Sequence, residues 1–279
     1  MNAKKKYYRF YCNILVLLVL FISMTLSAVN IYACSMFKYT TDGKTFVGNN
    51  EDYSGSDTWM WIEVGSSSEY GAVYFGYSDY FPQGGMNEKG LVFDGFAMPF
   101  LEVKEKDGKK AFDWSVINQI MKTSSSVLEV KSILEQYDLS ELSRAQLMYV
   151  DKTGNSIIVE GDRIIESDDK YRIATNFYQS LIEKSEYPKA CSRYSTAYSM
   201  LHSVNNFSIE FGFSVLNAIH QDFTNENGQG VKTQYSNLYD LDRGKIYLSH
   251  SSNFEEFIEL SIHKLLEKGD HRVELKSLF

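Results

Sequence analysis

The chain has 279 residues, 44% of them hydrophobic and 15% aromatic, with 28 Lys+Arg against 36 Asp+Glu and three cysteines. That apolar content excludes a disordered tail and suffices for the core of one large or two small domains. The net charge of −8 argues against a nucleic-acid-binding module, which would show a basic patch, and three cysteines without a Cys-x-x-Cys pair exclude a disulfide scaffold or zinc ribbon.

Residues 1–33 differ from the rest. Lys4, Lys5, Lys6 and Arg9 make a basic start, Ile14 to Val29 is almost wholly apolar, and Ala33 precedes Cys34. The pattern predicts a secretory signal peptide. Its apolar run, interrupted by Ser23, Thr25 and Ser27, falls short of the roughly 20 residues a spanning helix needs. Cleavage would remove four basic groups and no acidic ones, leaving 246 residues with a net charge of −12 and placing the working protein outside the cytoplasm. Cys12 would leave with the leader, Cys191 would remain, and Cys34 would become residue one. Two chemistries fit a cysteine there: the acylated cysteine of a lipoprotein, or a nucleophile whose own α-amine is free. Tyr32 departs from the small residue that a lipoprotein signal places there.

Along the remainder, alternating apolar and polar residues predict strands near 34–40, 44–51, 59–65, 70–77, 90–98, 145–151, 155–161, 171–176, 232–241 and 245–250. Thr41-Asp42-Gly43, Lys152-Thr153-Gly154 and Asp242-Arg243-Gly244 are turn signals, so the sheets should be mainly antiparallel. Gly85 to Leu91, taken alone, is a hairpin turn with Asn87 and Gly90 in special backbone conformations. Helices are predicted over 111–122, after the capping box Ser126-x-x-Glu129, over 190–202 and 208–221, and from Ser252 or Asn253 through Leu266. No repeat or linker appears, so residues 34–279 read as a single α+β domain of stacked sheets with helix layers outside.

The sequence holds no Gly-x-Ser-x-Gly elbow, His-Glu-x-x-His, phosphate loop or dinucleotide fingerprint. Five scattered histidines suggest neither a metal site nor a cofactor. An N-terminal cysteine, however, can carry chemistry by itself. Its thiol, with a pKa near 8.5, needs a base, and its α-amine, near 7.7 to 8.0, can be that base at neutral pH. The further requirements are a carboxylate to hold the amine, a cation, and donors for the tetrahedral oxyanion.

Six segments in order resemble the choloylglycine hydrolase and penicillin V acylase family of N-terminal-nucleophile hydrolases. They are Cys34; Gly48-Asn49-Asn50-Glu51-Asp52, similar to that family's Gly-Arg-Asn-x-Asp; Gly85-Met86-Asn87-Glu88-Lys89-Gly90-Leu91, which matches residue for residue; Thr175-Asn176; Ala190-Cys191-Ser192-Arg193; and Thr233-Gln234-Tyr235-Ser236. The resemblance implies a four-layer αββα sandwich and hydrolysis of a linear amide C–N bond. It implies Cys34 as nucleophile with its α-amine as base and acid, and Asp52 holding that amine. The Asn87 backbone N–H and Asn176 side-chain amide would form the oxyanion hole, with Arg193 beside the nucleophile. Asn49 stands where the family has arginine, which removes a second cation near the sulfur.

Implied substrates are small N-acyl amides: bile salts, phenoxyacetyl penicillins, acyl-homoserine lactones or N-acyl amino acids. No nucleic acid, metal or cofactor is implied, and a membrane only through the leader or a lipid on Cys34. Only 16 residues separate Asn176 from Arg193, where the bile-salt enzymes carry a longer insertion with tetramer contacts. A lipid-anchored binding protein and an acyltransferase on the same fold are the alternatives. The aromatic-rich stretch with Trp59, Trp61, Tyr70, Tyr74, Tyr77, Tyr80 and Phe81 is read mainly as sheet core.

Overall fold

The computed structural model describes residues 34–225 and 228–279; the predicted leader lies outside them. Six strands come first: β1 (Ser35–Thr41), β2 (Lys44–Tyr53), β3 (Thr58–Glu63), β4 (Ala72–Tyr77), β5 (Pro82–Asn87) and β6 (Val92–Ala97). A short β7 (Lys110–Ala111) precedes helices α1 (Ser115–Thr123) and α2 (Val127–Leu134). Then come β8 (Tyr137–Asp138), β9 (Ala145–Val150), β10 (Ser156–Glu160), β11 (Arg163–Ser167) and β12 (Tyr171–Ala174). Helices α3 (Tyr187–Ala190), α4 (Ser192–Ser203) and α5 (Ile209–Ala218) lead to β13 (Asp222–Thr224), β14 (Gly230–Asp240), β15 (Lys245–His250) and β16 (Ile258–Ser261), followed by α6 (Ile262–Leu266) and β17 (His271–Glu274).

Local chemistry explains most of these boundaries. Asp42 and Gly43 both adopt left-handed φ, 49° and 73°, the two-residue hairpin geometry whose twist matches the flanking strands. The capping box forms in both directions: Ser126 Oγ accepts from the Glu129 N–H, and Glu129 accepts from the Ser126 N–H. Ser208 caps α5 by accepting from the Phe211 N–H at 3.1 Å.

The strands form two large antiparallel sheets. One has the order β12-β1-β2-β14-β15-β16, with β13 paired to β14; the other runs β11-β10-β9-β6-β5-β4-β3-β17. Met36, Val47, Tyr235 and Tyr239 of the first sheet pack against Met60, Phe75, Met86, Val92 and Met148 of the second. The second sheet's outer face, with Trp61, Tyr74 and Phe93, is covered by Val116, Ile117, Ile120 and Met121 of α1 and Val130 and Leu134 of α2. Phe37, Tyr39 and Leu238 on the first sheet's outer face meet Tyr194, Ala197 and Leu201 of α4 and Phe213 and Leu216 of α5. The result is the expected αββα sandwich. Each large apolar side chain enclosed in it contributes about 1.5–3 kcal/mol, so the two helix layers are held mainly by burial. Trp61 and Tyr74 belong to this core, as read from the sequence.

Two local expectations are corrected. The helix predicted from Ser252 or Asn253 through Leu266 is present only as α6; residues 258–261 form β16, with Ile258 opposite Leu248 and Leu260 opposite Ile246. Their apolar residues satisfy both a helical and an alternating pattern, and pairing with the exposed edge of β15 settles the competition. In Gly85 to Leu91, residues 85–87 belong to β5 and only Gly90 takes a positive φ, of 82°.

Candidate functional site

Cys34 lies just before β1 and is buried. Four other segments converge on it. Strand β2, adjacent to β1, brings Glu51 and Asp52; β6 of the opposite sheet brings Gly95 and Ala97; and the segment after β12 and the start of α4 bring Asn176 and Arg193. Cys34, Glu51, Asp52, Tyr53, Tyr77, Asp79, Gln83, Gly95 and Ala97 line a cavity of about 270 Å³.

Arg193 organises one side. Its Nη1 donates to the Cys34 carbonyl oxygen at 2.9 Å, and its Nη2 donates to Asn176 Oδ1 at 2.9 Å. Nη1 also lies 4.0 Å from Asp52 Oδ2. Asn176 Nδ2 donates to the Ala97 carbonyl at 2.7 Å, which orients the amide and occupies one of its two N–H groups. Arg193 thus lies beside Cys34, where it engages backbone and amide oxygens.

Asp52 is buried at 1% exposure, and its Oδ1 accepts from the Thr233 hydroxyl, which itself accepts from the Gln221 N–H at 3.0 Å. Asp52 Oδ2 has no hydrogen-bond partner among the described residues. Burial pushes its carboxyl up to about 7, opposed by the Thr233 hydrogen bond and by Arg193. The Asp52 backbone N–H reaches the Cys34 sulfur, but burial and then the charges of Glu51, Asp52 and Asp94 raise the thiol well above its usual value. Burial and those charges each favour the neutral thiol over the thiolate.

Asn87 is not part of this group, a correction to the oxyanion-hole expectation. Its backbone N–H donates to the Leu91 carbonyl at 2.9 Å. Its side chain donates to the Met121 and Ser124 carbonyls and accepts from the Lys89 and Leu91 N–H groups. All of that pins the β5–β6 turn to the end of α1. Gln83, which lines the cavity, is four residues away along β5, a strand distance of about 13 Å. The backbone at the site is instead that of Ala97. The Met98 N–H donates to Arg144 on the β9 side, so the ladder's alternation turns the polar groups of Ala97 the other way, where its carbonyl receives Asn176.

Asn49 sits opposite Met36 in the β1–β2 ladder and donates to Asp94 Oδ1 at 3.3 Å, both side chains being buried. The position that carries arginine in the resembling family thus faces a carboxyl here. Glu51, Tyr77 and Asp94 were missed from the sequence because their roles depend on the opposing sheet. Tyr77 donates to Glu51 Oε1 at 3.1 Å across the sandwich. The one available signal was the period of two in β2, where Asn49 and Glu51 face the other sheet while Asn50 Nδ2 reaches the Leu216 carbonyl on the helix side at 2.9 Å. Both Cys34 and Cys191 are free thiols.

Comparisons with known proteins agree with this architecture. The family model described as acyl-coenzyme A:6-aminopenicillanic acid acyl-transferase matches residues 39–255. A crystal structure of a conjugated bile acid hydrolase variant from Clostridium perfringens is 19% identical, with a TM-score of 0.72 over 86% of this chain and 97% of that one. Penicillin V acylase from Agrobacterium tumefaciens is 16% identical, with a TM-score of 0.68 over 87% of this chain and 92% of that one. No curated protein matches. The family model matches most of the chain's length, on a sandwich of the same fold as those two enzymes, so the chain belongs to the acyl-coenzyme A:6-aminopenicillanic acid acyl-transferase family.

Proposed function

We propose that this protein is an extracytoplasmic cysteine amidohydrolase that cleaves a linear amide C–N bond of a small N-acyl substrate, with Cys34 as nucleophile after removal of residues 1–33. The observation that carries this reading is the convergence on Cys34 of Asp52, Asn176 and Arg193 at the wall of a cavity.

The chemistry follows from the placement. Once residue 34 is the N-terminus, its α-ammonium finds the buried Oδ2 of Asp52 as acceptor, and its neutral form takes the thiol proton. Sulfur attacks the amide carbonyl carbon. The second N–H of Asn176 and the backbone N–H of Ala97 are the donors available for the oxyanion, replacing the Asn87 N–H of the sequence reading. The C–N bond breaks as the α-ammonium passes its proton to the leaving amine. Water, deprotonated by the same amine, then attacks the thioester, releasing the acid and restoring the thiol. Arg193 acts as a positioning residue, holding Cys34 and Asn176 together.

Intact mass and N-terminal sequencing of the secreted protein test the first step. A mature chain beginning at Cys34 with an unmodified amine is expected; a diacylglycerol increment would favour the lipid-anchored reading, and a different N-terminus would remove the base. The family description favours one second reading, acyl transfer to an amine in place of water. Product analysis with and without added amine separates the two.

A further inference from the structure

We infer that the cavity beside Cys34 selects amide substrates that carry a positive charge close to the scissile bond, with Glu51 as the residue that determines this preference; the inference rests on the amidohydrolase reading and adds the substrate class. Three carboxyl groups, Glu51, Asp52 and Asp79, line the cavity, and among the described residues no lysine, arginine or histidine does. Arg193 approaches residue 34 from α4, where it contacts Cys34, Asn176 and Asp52.

Glu51 is the specific element. It is 3% exposed, its Oε1 accepts from the Tyr77 hydroxyl at 3.1 Å, the Cys34 thiol beside it is a weak donor to the carboxyl, and its Oε2 has no well-formed hydrogen bond among the described residues. A buried carboxyl oxygen with no stronger donor than a neighbouring thiol, on a cavity wall next to Cys34, calls for a ligand that donates, and an ammonium has three N–H groups and the matching charge. Burial pushes the free Glu51 carboxyl up to about 8, and a cation at Oε2 acts the opposite way, favouring the carboxylate.

The walls agree with the charge. Tyr53 and Tyr77 stand with ring centroids 4.6 Å apart, and aromatic faces attract ammonium groups. Behind Glu51, Asn49 and Asp94 provide an amide and a further carboxyl where the resembling family has arginine. An anionic substrate group would oppose ionisation of these carboxyls and find no cationic lining residue among the described ones, which turns the preference into rejection as well as attraction. The charge can sit on the acyl side or on the amine side of the bond, because the cavity adjoins the sulfur itself.

Two substrate series distinguish the sources. One varies the far end of the acyl chain among ammonium, methyl and carboxylate with a common leaving amine; the other varies the far end of the leaving amine in the same way with a common acyl group. In at least one series kcat/KM should fall from ammonium to methyl to carboxylate, by about tenfold or more at the first step, and Glu51→Gln should bring the ammonium-to-methyl ratio close to one. Cleavage that is indifferent to charge, or fastest for the carboxylate, in both series overturns the inference and leaves the amidohydrolase reading standing. Should no member be cleaved, that reading fails, and labelling decides the inference separately. In a Cys191→Ser background, a cationic methanethiosulfonate should modify Cys34 faster than an anionic one, relative to a free thiol, with the bias reduced by Glu51→Gln; no bias overturns it.

Discussion

Arg193 bridges Cys34 and Asn176, donating from Nη1 to the carbonyl oxygen of one and from Nη2 to the side-chain oxygen of the other, each at 2.9 Å. A planar guanidinium spans two acceptors at once, and a lysine ammonium on a flexible stem does not reproduce that fork. Arg193→Lys should therefore keep the charge and lose the alignment. We expect kcat to fall by about two orders of magnitude, an effect typical of misplacing a reacting group by about 1 Å, with KM changing much less. Steady-state kinetics on a variant shown to be folded by circular dichroism checks this; an unchanged kcat would mean that Arg193 serves only the fold.

On the proposed mechanism, Asn176 and Asn87 separate a chemical role from a structural one. Losing one oxyanion donor costs about 10²–10³ in kcat, so Asn176→Ala should show that loss with its unfolding midpoint little changed. Asn87→Ala should do the reverse. It strips donors from the Met121 and Ser124 carbonyls, which costs on the order of 2–4 kcal/mol of stability, read by urea denaturation, while the kcat of the protein that remains folded stays close to wild type.

For Asp52, removing the charge while preserving shape is the informative change. Asp52→Asn keeps an oxygen for Thr233 but no longer holds an ammonium, so the α-amine of Cys34 should titrate lower. The acidic limb of the kcat/KM profile should move down in pH, together with a fall in rate of about 10²-fold or more. A profile whose limb stays in place would argue that Asp52 does not touch the amine.

Burial raises Glu51 to about 8 and Asp52 to about 7, against about 4.3 and 3.9 in an unfolded chain. The sign follows from proton uptake. Between roughly pH 4.5 and 8 the native state holds protons that the unfolded state has released, so stability falls as pH rises through that window. Each group contributes at most about 1.4 kcal/mol per pH unit. Urea midpoints should decline from pH 5.5 to 8, and Glu51→Gln should flatten the decline; an undiminished slope would show that other groups set it.

Much of the fold was legible because the deciding forces are local. Turn chemistry at Asp42-Gly43, the box at Ser126 and Glu129, and the alternation in β1, β2, β14 and β15 each involve neighbours within a few residues. Residues 258–261 were read wrongly as helix because their pattern fits both periods and the arbiter, the free edge of β15, comes from ten or more residues away.

The site divides along the same line. Sequence alone determined which residue types were present in family order: Cys34, Asp52, Asn176 and Arg193 are a thiol, a carboxylate, an amide and a cation whatever the coordinates. Only the tertiary structure decided that Arg193 meets Cys34 across 159 positions and that Asn87 belongs to a turn on α1. It alone set Ala97 at the cavity wall and Glu51 in it with an oxygen that has no well-formed hydrogen bond among the described residues. The physical reason is that side-chain identity and short-range periodicity are written along the chain, whereas hydrogen-bond partners and burial are set by which strand ends two packed sheets bring together.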